Sequence, residues 1–201
     1  MTPIYHITHV NNLRSIVKHR CLWSDSQRIA QRIDNVNIGH SHIKQRRLTR
    51  VVPVAAKGVL GDYVPFNFCN RSVMLCAHYY GSVEGYSDGQ PPIVHLVSSV
   101  EAVIAAGRPW AFTDRHADLG YARYFDNLVD LEEVDWDAMP LKYWKEKKEV
   151  RQAEFLVHDW FPWTCVEKIG MYNDAIAERA KKAIAKATHQ PIVVVENGWY
   201  Y

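Results

Sequence analysis

Three groups of side chains in this 201-residue chain have the type and spacing for chemistry: a carboxylate on a predicted strand, a histidine near the amino terminus, and a run of arginines between them. The carboxylate is Glu154. In Val150-Arg151-Gln152-Ala153-Glu154-Phe155-Leu156-Val157-His158, strand alternation puts Ala153, Phe155 and Val157 on one face and Gln152, Glu154, Leu156 and His158 on the other. Gln152 and Glu154 then point the same way, a neutral amide beside a carboxylate, which suits work on a sugar cation next to a polar acceptor. Taken alone, the tripeptide describes an ordinary edge strand with a solvated glutamate, since surface Glu is the common case.

Other chemistries lack their residues. His40 and His42 stand two apart, no His-Glu-x-x-His occurs, and His78 and His95 are isolated, so the ligand spacing of a zinc site is missing. Asp62, Glu84 and Glu154 could converge on a nuclease metal, but no lysine follows Glu154 at the spacing such sites use. There is no Gly-x-Ser-x-Gly elbow. Cys21, Cys69, Cys76 and Cys165 form no Cys-x-x-Cys and sit among apolar residues, as reduced, mostly buried thiols do, which points to the cytoplasm.

The net charge of +2, from 24 bases and 22 acids, excludes a bulk polycation, so nucleic-acid binding would need local patches. Such patches exist. Arg28, Arg32, Lys44, Arg46, Arg47 and Arg50 face only Asp34 in sequence, whereas Asp130, Glu132, Glu133, Asp135 and Asp137 form a stretch without a base. No apolar run approaches the roughly 18 to 20 residues of a membrane span, and no amino-terminal basic and apolar leader is present.

The elements that must position these groups are short. Strands are predicted at Ile4–Thr8, Leu22–Ser24, Tyr63–Phe68, Ile93–Ser98, Trp110–Thr113, Lys168–Tyr172 and Ile192–Val195. Helices are predicted after Asn11 or Asn12 (Leu13, Ile16, Val17), from Ser41 over His42–Thr49, from Ser72 to Tyr80 with Val73, Cys76, Ala77 and Tyr80 on one face, from Ser99 to Ala106, and from Asn173 to about Lys186. Asp25–Gly39 reads as a loop, and a long loop in a compact domain is usually a binding element. Asp114–Arg151 reads as short helical pieces around Tyr121–Phe125 and Trp136–Tyr143. This interleaving gives an α+β class with a mixed or antiparallel sheet, and no Rossmann glycine signature follows a strand.

Several blocks in order resemble one family: Tyr5-His6-Ile7-Thr8-His9, Ile43-Lys44-Gln45-Arg46-Arg47, Gly61-Asp62-Tyr63-Val64-Pro65-Phe66, Arg71-Ser72, Gly89-Gln90, His95-Leu96-Val97-Ser98-Ser99, Phe112-Thr113-Asp114-Arg115-His116, Gln152-Ala153-Glu154-Phe155-Leu156-Val157 and Trp199-Tyr200-Tyr201. Together they are similar to the DarT family of bacterial DNA ADP-ribosyltransferase toxins, from about Pro3 to Tyr201. Asn67 and Asn70 depart from the family pattern, which has an aromatic and a proline there.

The resemblance implies an ADP-ribosyltransferase-like fold over residues 1–201 with a split central sheet and short flanking helices. It implies NAD as donor, thymidine in single-stranded DNA as acceptor through a ring nitrogen, and a macrodomain antitoxin as opposing partner. It further implies Glu154 as catalytic glutamate and Arg47 as catalytic arginine near the NAD phosphates. His6, Ile7, Thr8, Ser15 and Trp23 become donor contacts, about 28–49 the NAD-binding element, and about 109–154 the acceptor loop, with His116 at the active site. Within that loop Tyr121, Arg123, Tyr124 and Phe125 suit a single strand, the aromatic rings stacking on unpaired bases and the guanidinium meeting phosphate, while Gln152 is expected to steer the acceptor base. Because a guanidinium stays protonated, Arg47 is expected to hold phosphate or stabilise a thymine anion and not to accept a proton. Transfer to RNA or protein, and a catalytically silent nucleic-acid-binding module, remain the alternatives.

Overall fold

Apolar alternation near both ends of the chain and in its middle builds one large sheet. The computed structural model describes residues 1–201. Its strands are β1 (Pro3–His9), β2 (Cys21–Trp23), β3 (Tyr63–Asn67), β4 (Ile93–Ser99), β5 (Trp110–His116), β6 (Tyr124–Phe125), β7 (Ala153–His158), β8 (Trp160–Pro162), β9 (Lys168–Met171) and β10 (Ile192–Val195). Its helices are α1 (Leu13–His19), α2 (Asp25–Ala30), α3 (Ser41–Arg47), α4 (Val73–Tyr79), α5 (Val100–Ala105) and α6 (Asp174–Ile184).

Eight strands run in the order β10-β9-β4-β1-β3-β7-β5-β6, and β2 pairs with β8 in a separate ribbon. Only β10 and β9 are parallel, so the α+β class with a mixed sheet holds. The sheet is nearly split in its middle: β1 pairs with β4 at seven positions, but with β3 only at Tyr5 opposite Asn67. Beyond that couple the two strands part, and the space between them becomes the principal cavity.

The main core lies where Phe66 of β3, Leu96 of β4, Phe112 of β5 and Phe155 of β7 are fully buried, packed with Phe161, Ile169 and the buried face of α6. At roughly 25 cal/mol per Å² of apolar area, burial of each large side chain stabilises by about 2 kcal/mol. Ser72, Ser99 and Asn173 cap α4, α5 and α6 as their sequence positions predict, each side chain accepting from a backbone N–H in the first turn. No helix is long and apolar enough to cross a membrane.

Four local readings change. Ser24 accepts from the Gln27 N–H and starts α2 inside the stretch read as a loop. His40, not Ser41, is the residue before α3. Val150–Gln152 is a 3-10 turn, so β7 begins only at Ala153 and Gln152 is not a strand residue. Tyr124 and Phe125 form β6 against β5, and the helical piece expected over Trp136–Tyr143 shrinks to a 3-10 turn at Trp136–Ala138.

Candidate active site

Glu154 sits on the second residue of β7, between β3 and β5, and is only 6% exposed. The pairing of β5 with β7 is irregular here: five residues of β5, Phe112 to His116, span three of β7, Phe155 to Ala153. The extra length bulges the chain, a device that re-aims side chains beside active sites. Two hydrogen bonds follow from it. The Glu154 N–H donates to Thr113 Oγ1 at 3.1 Å, and the Ala117 N–H donates to Glu154 Oε1 at 3.1 Å. The loop carrying Ala117 is held in turn by Tyr124, whose hydroxyl donates to the Ala117 carbonyl at 2.5 Å.

Arg47 closes the site from the opposite side. A Cβ at Gly61 would lie 2.7 Å from Leu48 Cδ2 and 3.3 Å from Leu48 Cα, so glycine is what lets the end of α3 approach the turn before β3 this closely. From there Arg47 Nη1 donates to both oxygens of Glu154, at 3.0 and 2.9 Å. A single nitrogen does this. The other terminal nitrogen, Nη2, is buried and has no partner, which leaves a charged donor free for an anion.

Most other bases in the same run are engaged. Arg28 and Lys44 converge on Asp25, whose carboxyl lies below its usual range because these cations outweigh the opposing effect of burial. Arg46 reaches Asp118 and Arg50 stands 4.0 Å from it. Asp118 and Glu154 are the anions that receive Arg46 and Arg47 of α3.

A cavity of about 430 Å³ opens at the sheet split, well within the range of small-molecule sites. Its walls include His6, Ile7 and Thr8 of β1, Ser15 of α1, Trp23 of β2, Arg47 of α3, and His116, Gln152 and Glu154. His6 Nδ1 lies 2.8 Å from the Pro65 carbonyl across the split and must donate to it, which leaves Nε2 as an acceptor. Burial lowers its pKa, so the ring is neutral. Trp23 Nε1 is buried without a partner, a second unused hydrogen-bond donor on the cavity wall. Asn12 closes the roof over residues 33–39: Nδ2 donates to the Val36 carbonyl at 3.0 Å and Oδ1 accepts from the Val36 N–H at 2.8 Å.

His116 ends β5 at the cavity wall. Burial lowers its pKa first, Arg47 and Arg46 lower it further, and Glu154 and Asp118 only partly oppose them. It is therefore a neutral imidazole at pH 7. Gln152 faces the cavity although it is off the strand, and its Nε2 donates to the Lys148 carbonyl at 3.0 Å, leaving its second N–H and the amide oxygen able to meet a ligand.

Two expected acceptor contacts lie elsewhere. Tyr121 is exposed and donates to Glu149 at 2.7 Å, and Arg123 is held between Asp114 and Glu133. Neither lines the cavity, because the β5–β6 hairpin turns them outward. Tyr124, expected to suit a single strand, holds the Ala117 loop instead, and no site role was read from sequence for Thr113, Ala117, Asn12 or Asp25. Their tasks depend on the bulge and on contacts between distant segments, for which only Ser24-Asp25, a cap signal inside a basic loop, gave a local sign. No three His, Cys, Asp or Glu side chains converge as a metal site.

Residues 5–201 match the family described as ssDNA thymidine ADP-ribosyltransferase, DarT. A DNA ADP-ribosyl transferase of Thermus sp. (strain 2.9) is 44% identical over all of this chain and 96% of its own length, and one from Escherichia coli O127:H6 is 28% identical over 98% and 93%. Among solved structures, Thermus sp. 2.9 DarT in complex with ADP-ribosylated ssDNA has a TM-score of 0.94 at 44% identity, covering 100% of this chain and 96% of that one. The same protein in complex with NAD+ gives 0.90 at 42%, covering 100% and 98%. Thermosipho africanus DarTG in complex with ADP-ribose, at 19% identity and TM-score 0.80, shares the fold, and this chain spans 51% of its length.

Proposed function

The chain belongs to the DarT family of single-stranded-DNA thymidine ADP-ribosyltransferases, and on that premise we propose that the pocket between β1 and β7 is its catalytic centre, with Glu154 and Arg47 as catalytic residues. It is an NAD-dependent DNA ADP-ribosyltransferase: ADP-ribose passes from NAD to thymidine in single-stranded DNA and nicotinamide is released. The observation that carries the site assignment is the Arg47–Glu154 pair facing one cavity with His6.

The donor occupies the half lined by His6, Ile7, Thr8, Ser15 and Trp23. His6 Nε2 can accept a ribose hydroxyl, and Trp23 Nε1 and Arg47 Nη2, both buried without partners, suit ribose or pyrophosphate oxygens. When the bond between nicotinamide and ribose breaks, its electron pair leaves with nicotinamide and positive charge develops on the anomeric carbon. The carboxylate of Glu154, held by Ala117 N–H and Arg47, is a fixed counter-charge for that carbon. Single groups of this kind contribute about 3–4 kcal/mol, so Glu154→Gln is expected to lose on the order of a hundredfold or more in rate.

The acceptor enters from the side of His116 and Gln152. N3 is the one ring nitrogen of thymidine that carries a proton, and pairing hides it in a duplex, hence the need for a single strand. As N3 bonds to the anomeric carbon, its proton must leave. His116, neutral and buried beside the pair, is the group assigned to take it, while Arg47 stabilises negative charge on the base. Gln152 steers the base with its amide, whose free N–H can donate to a thymine carbonyl.

Residues 1–201 are read as one ADP-ribosyltransferase domain, with about 28–49 as donor element and about 109–154 as acceptor loop. Its role is that of a cytoplasmic toxin opposed by a DarG-like macrodomain antitoxin. The test is incubation with labelled NAD and a panel of single-stranded DNA, duplex DNA, RNA and protein. Label on thymidine-containing single strands alone is expected; label on RNA or protein instead, or none anywhere, overturns the reading.

A further inference from the structure

Near the cavity the surface carries a run of aromatic rings, exposed at Tyr80, Tyr79 and Tyr143 and half-buried at Tyr201 and Trp144. Val73 and Ala77 of α4 line the cavity, and Tyr80 follows on the same helical face, three residues past Ala77. Tyr80 is 73% exposed and its ring meets that of Tyr79, 53% exposed, at 5.0 Å. The rings continue from Tyr79 to Tyr201 at 6.4 Å and from Tyr201 to Trp144 at 6.4 Å, where Trp144 Nε1 donates to the Tyr201 hydroxyl. Next to Trp144, Tyr143 is 95% exposed. Exposed aromatics in a continuous strip usually mark an interaction surface.

The strip is also cationic. The Arg71 guanidinium lies 4.2 Å from the centre of the Tyr201 ring. Lys147 is paired with Asp135, but Lys142, Lys145 and Lys148 have no carboxylate partner. Lys148 itself lines the cavity, and its carbonyl holds Gln152. The strip is thus continuous with the acceptor side of the site, opposite in chain position to Tyr121 and Arg123, which are tied to Glu149, Asp114 and Glu133.

We propose that the strip formed by Tyr80, Tyr79, Tyr201, Trp144 and Tyr143 is the track on which nucleotides flanking the target thymidine stack, with the unpaired lysines meeting their phosphates. The inference rests on single-stranded DNA being the acceptor. Stacking platforms edged by cations are how proteins hold unpaired strands without reading sequence. The acidic alternative, a protein partner, would have to match both the rings and three free ammonium groups.

The test uses the full chain and two substrates: a 12-nucleotide single strand with one central thymidine, and a trinucleotide with the same centre. Tyr80→Ala and Tyr143→Ala are each expected to raise KM for the 12-mer about tenfold, with kcat, NAD affinity and the trinucleotide reaction unchanged. Replacing Lys142, Lys145 and Lys148 by Gln is expected to flatten the salt dependence of 12-mer binding by about 0.7 in log–log slope per lost phosphate contact. Unchanged KM and salt slope while the wild type still labels the 12-mer overturns the track, as does a loss of antitoxin binding with DNA kinetics intact. A wild type that labels no DNA overturns the underlying reading instead.

Discussion

Replacing Arg47 by Met removes the charge that faces Glu154 and keeps most of the side-chain volume. Both partners are nearly buried, their side chains 11% and 8% exposed, and removing one member of a buried pair typically costs about 3–5 kcal/mol because the other charge is stranded. Here Arg47 engages the carboxylate through one nitrogen, and the Ala117 N–H stays in place, so the lower end, about 3 kcal/mol, is expected. For a chain of this size that corresponds to a fall in Tm of about 6–12 °C. In a Glu154→Gln background the carboxylate is already neutral and the same replacement strands nothing. The second fall should be smaller by about 2 kcal/mol, a coupling typical of residues in contact. Thermal melts of the four proteins at pH 7.5 measure it, and nicotinamide release measures the catalytic loss in parallel. If Arg47→Met lowers Tm equally with and without Glu154, the two side chains are not coupled in solution, and the electrostatic account of the site fails.

Thr113→Val should leave the Glu154 N–H without its acceptor at the β5 bulge, costing about 1–3 kcal/mol and lowering kcat more than NAD affinity; an unchanged kcat would mean the bulge does not position the carboxylate. If His116 accepts the N3 proton, transfer should fall with pH once His116 protonates, below its ordinary 6.5 because burial lowers its pKa. His116→Gln should abolish that acidic limb while NAD still binds, and a limb that persists assigns the proton elsewhere. Gln152→Ala should raise KM for DNA well beyond that for NAD, and an equal effect on both argues against a base-steering amide. Stability should carry its own pH dependence through His95, fully buried and with its pKa lowered to about 4 by burial. Unfolded, the ring takes up a proton near 6.5, so its contribution is intact above 6.5 and is lost as pH falls from there towards 4, by about 3 kcal/mol in full. Denaturant titrations across that window should steepen with His95 and flatten in His95→Gln.

The parts of the fold that were legible are those decided locally. β10 falls on the predicted residues, and Ser72, Ser99 and Asn173 cap their helices, because alternation and caps depend on neighbours a few residues apart. α2 was not legible: Asp25-Ser26-Gln27-Arg28-Ile29-Ala30 has no apolar stripe, and it is held by Ser24 and by Asp25 reaching Lys44. β8 depends on β2, 137 residues away at Trp23 and Trp160. In the site, the resemblance identified Glu154, Arg47, His6 and His116, and the fold brings all four to one cavity. It did not place Tyr121 or Arg123, since the direction of a hairpin's side chains follows from the twist and bulge of β5. Nor did strand alternation describe Gln152: it faces the cavity because a 3-10 turn presents it there.

The contacts that hold Glu154 come from every quarter of the chain: Arg47 is 107 residues away, and Ala117 37. Asn67 stands opposite it on β3 and Thr113 receives its N–H. Competence therefore arrives late in synthesis. Until β7 has left the ribosome and slipped between β3 and β5, a growing chain has a donor element with no carboxylate to act, so ribosomes stalled before residue 154 release nothing that can modify DNA.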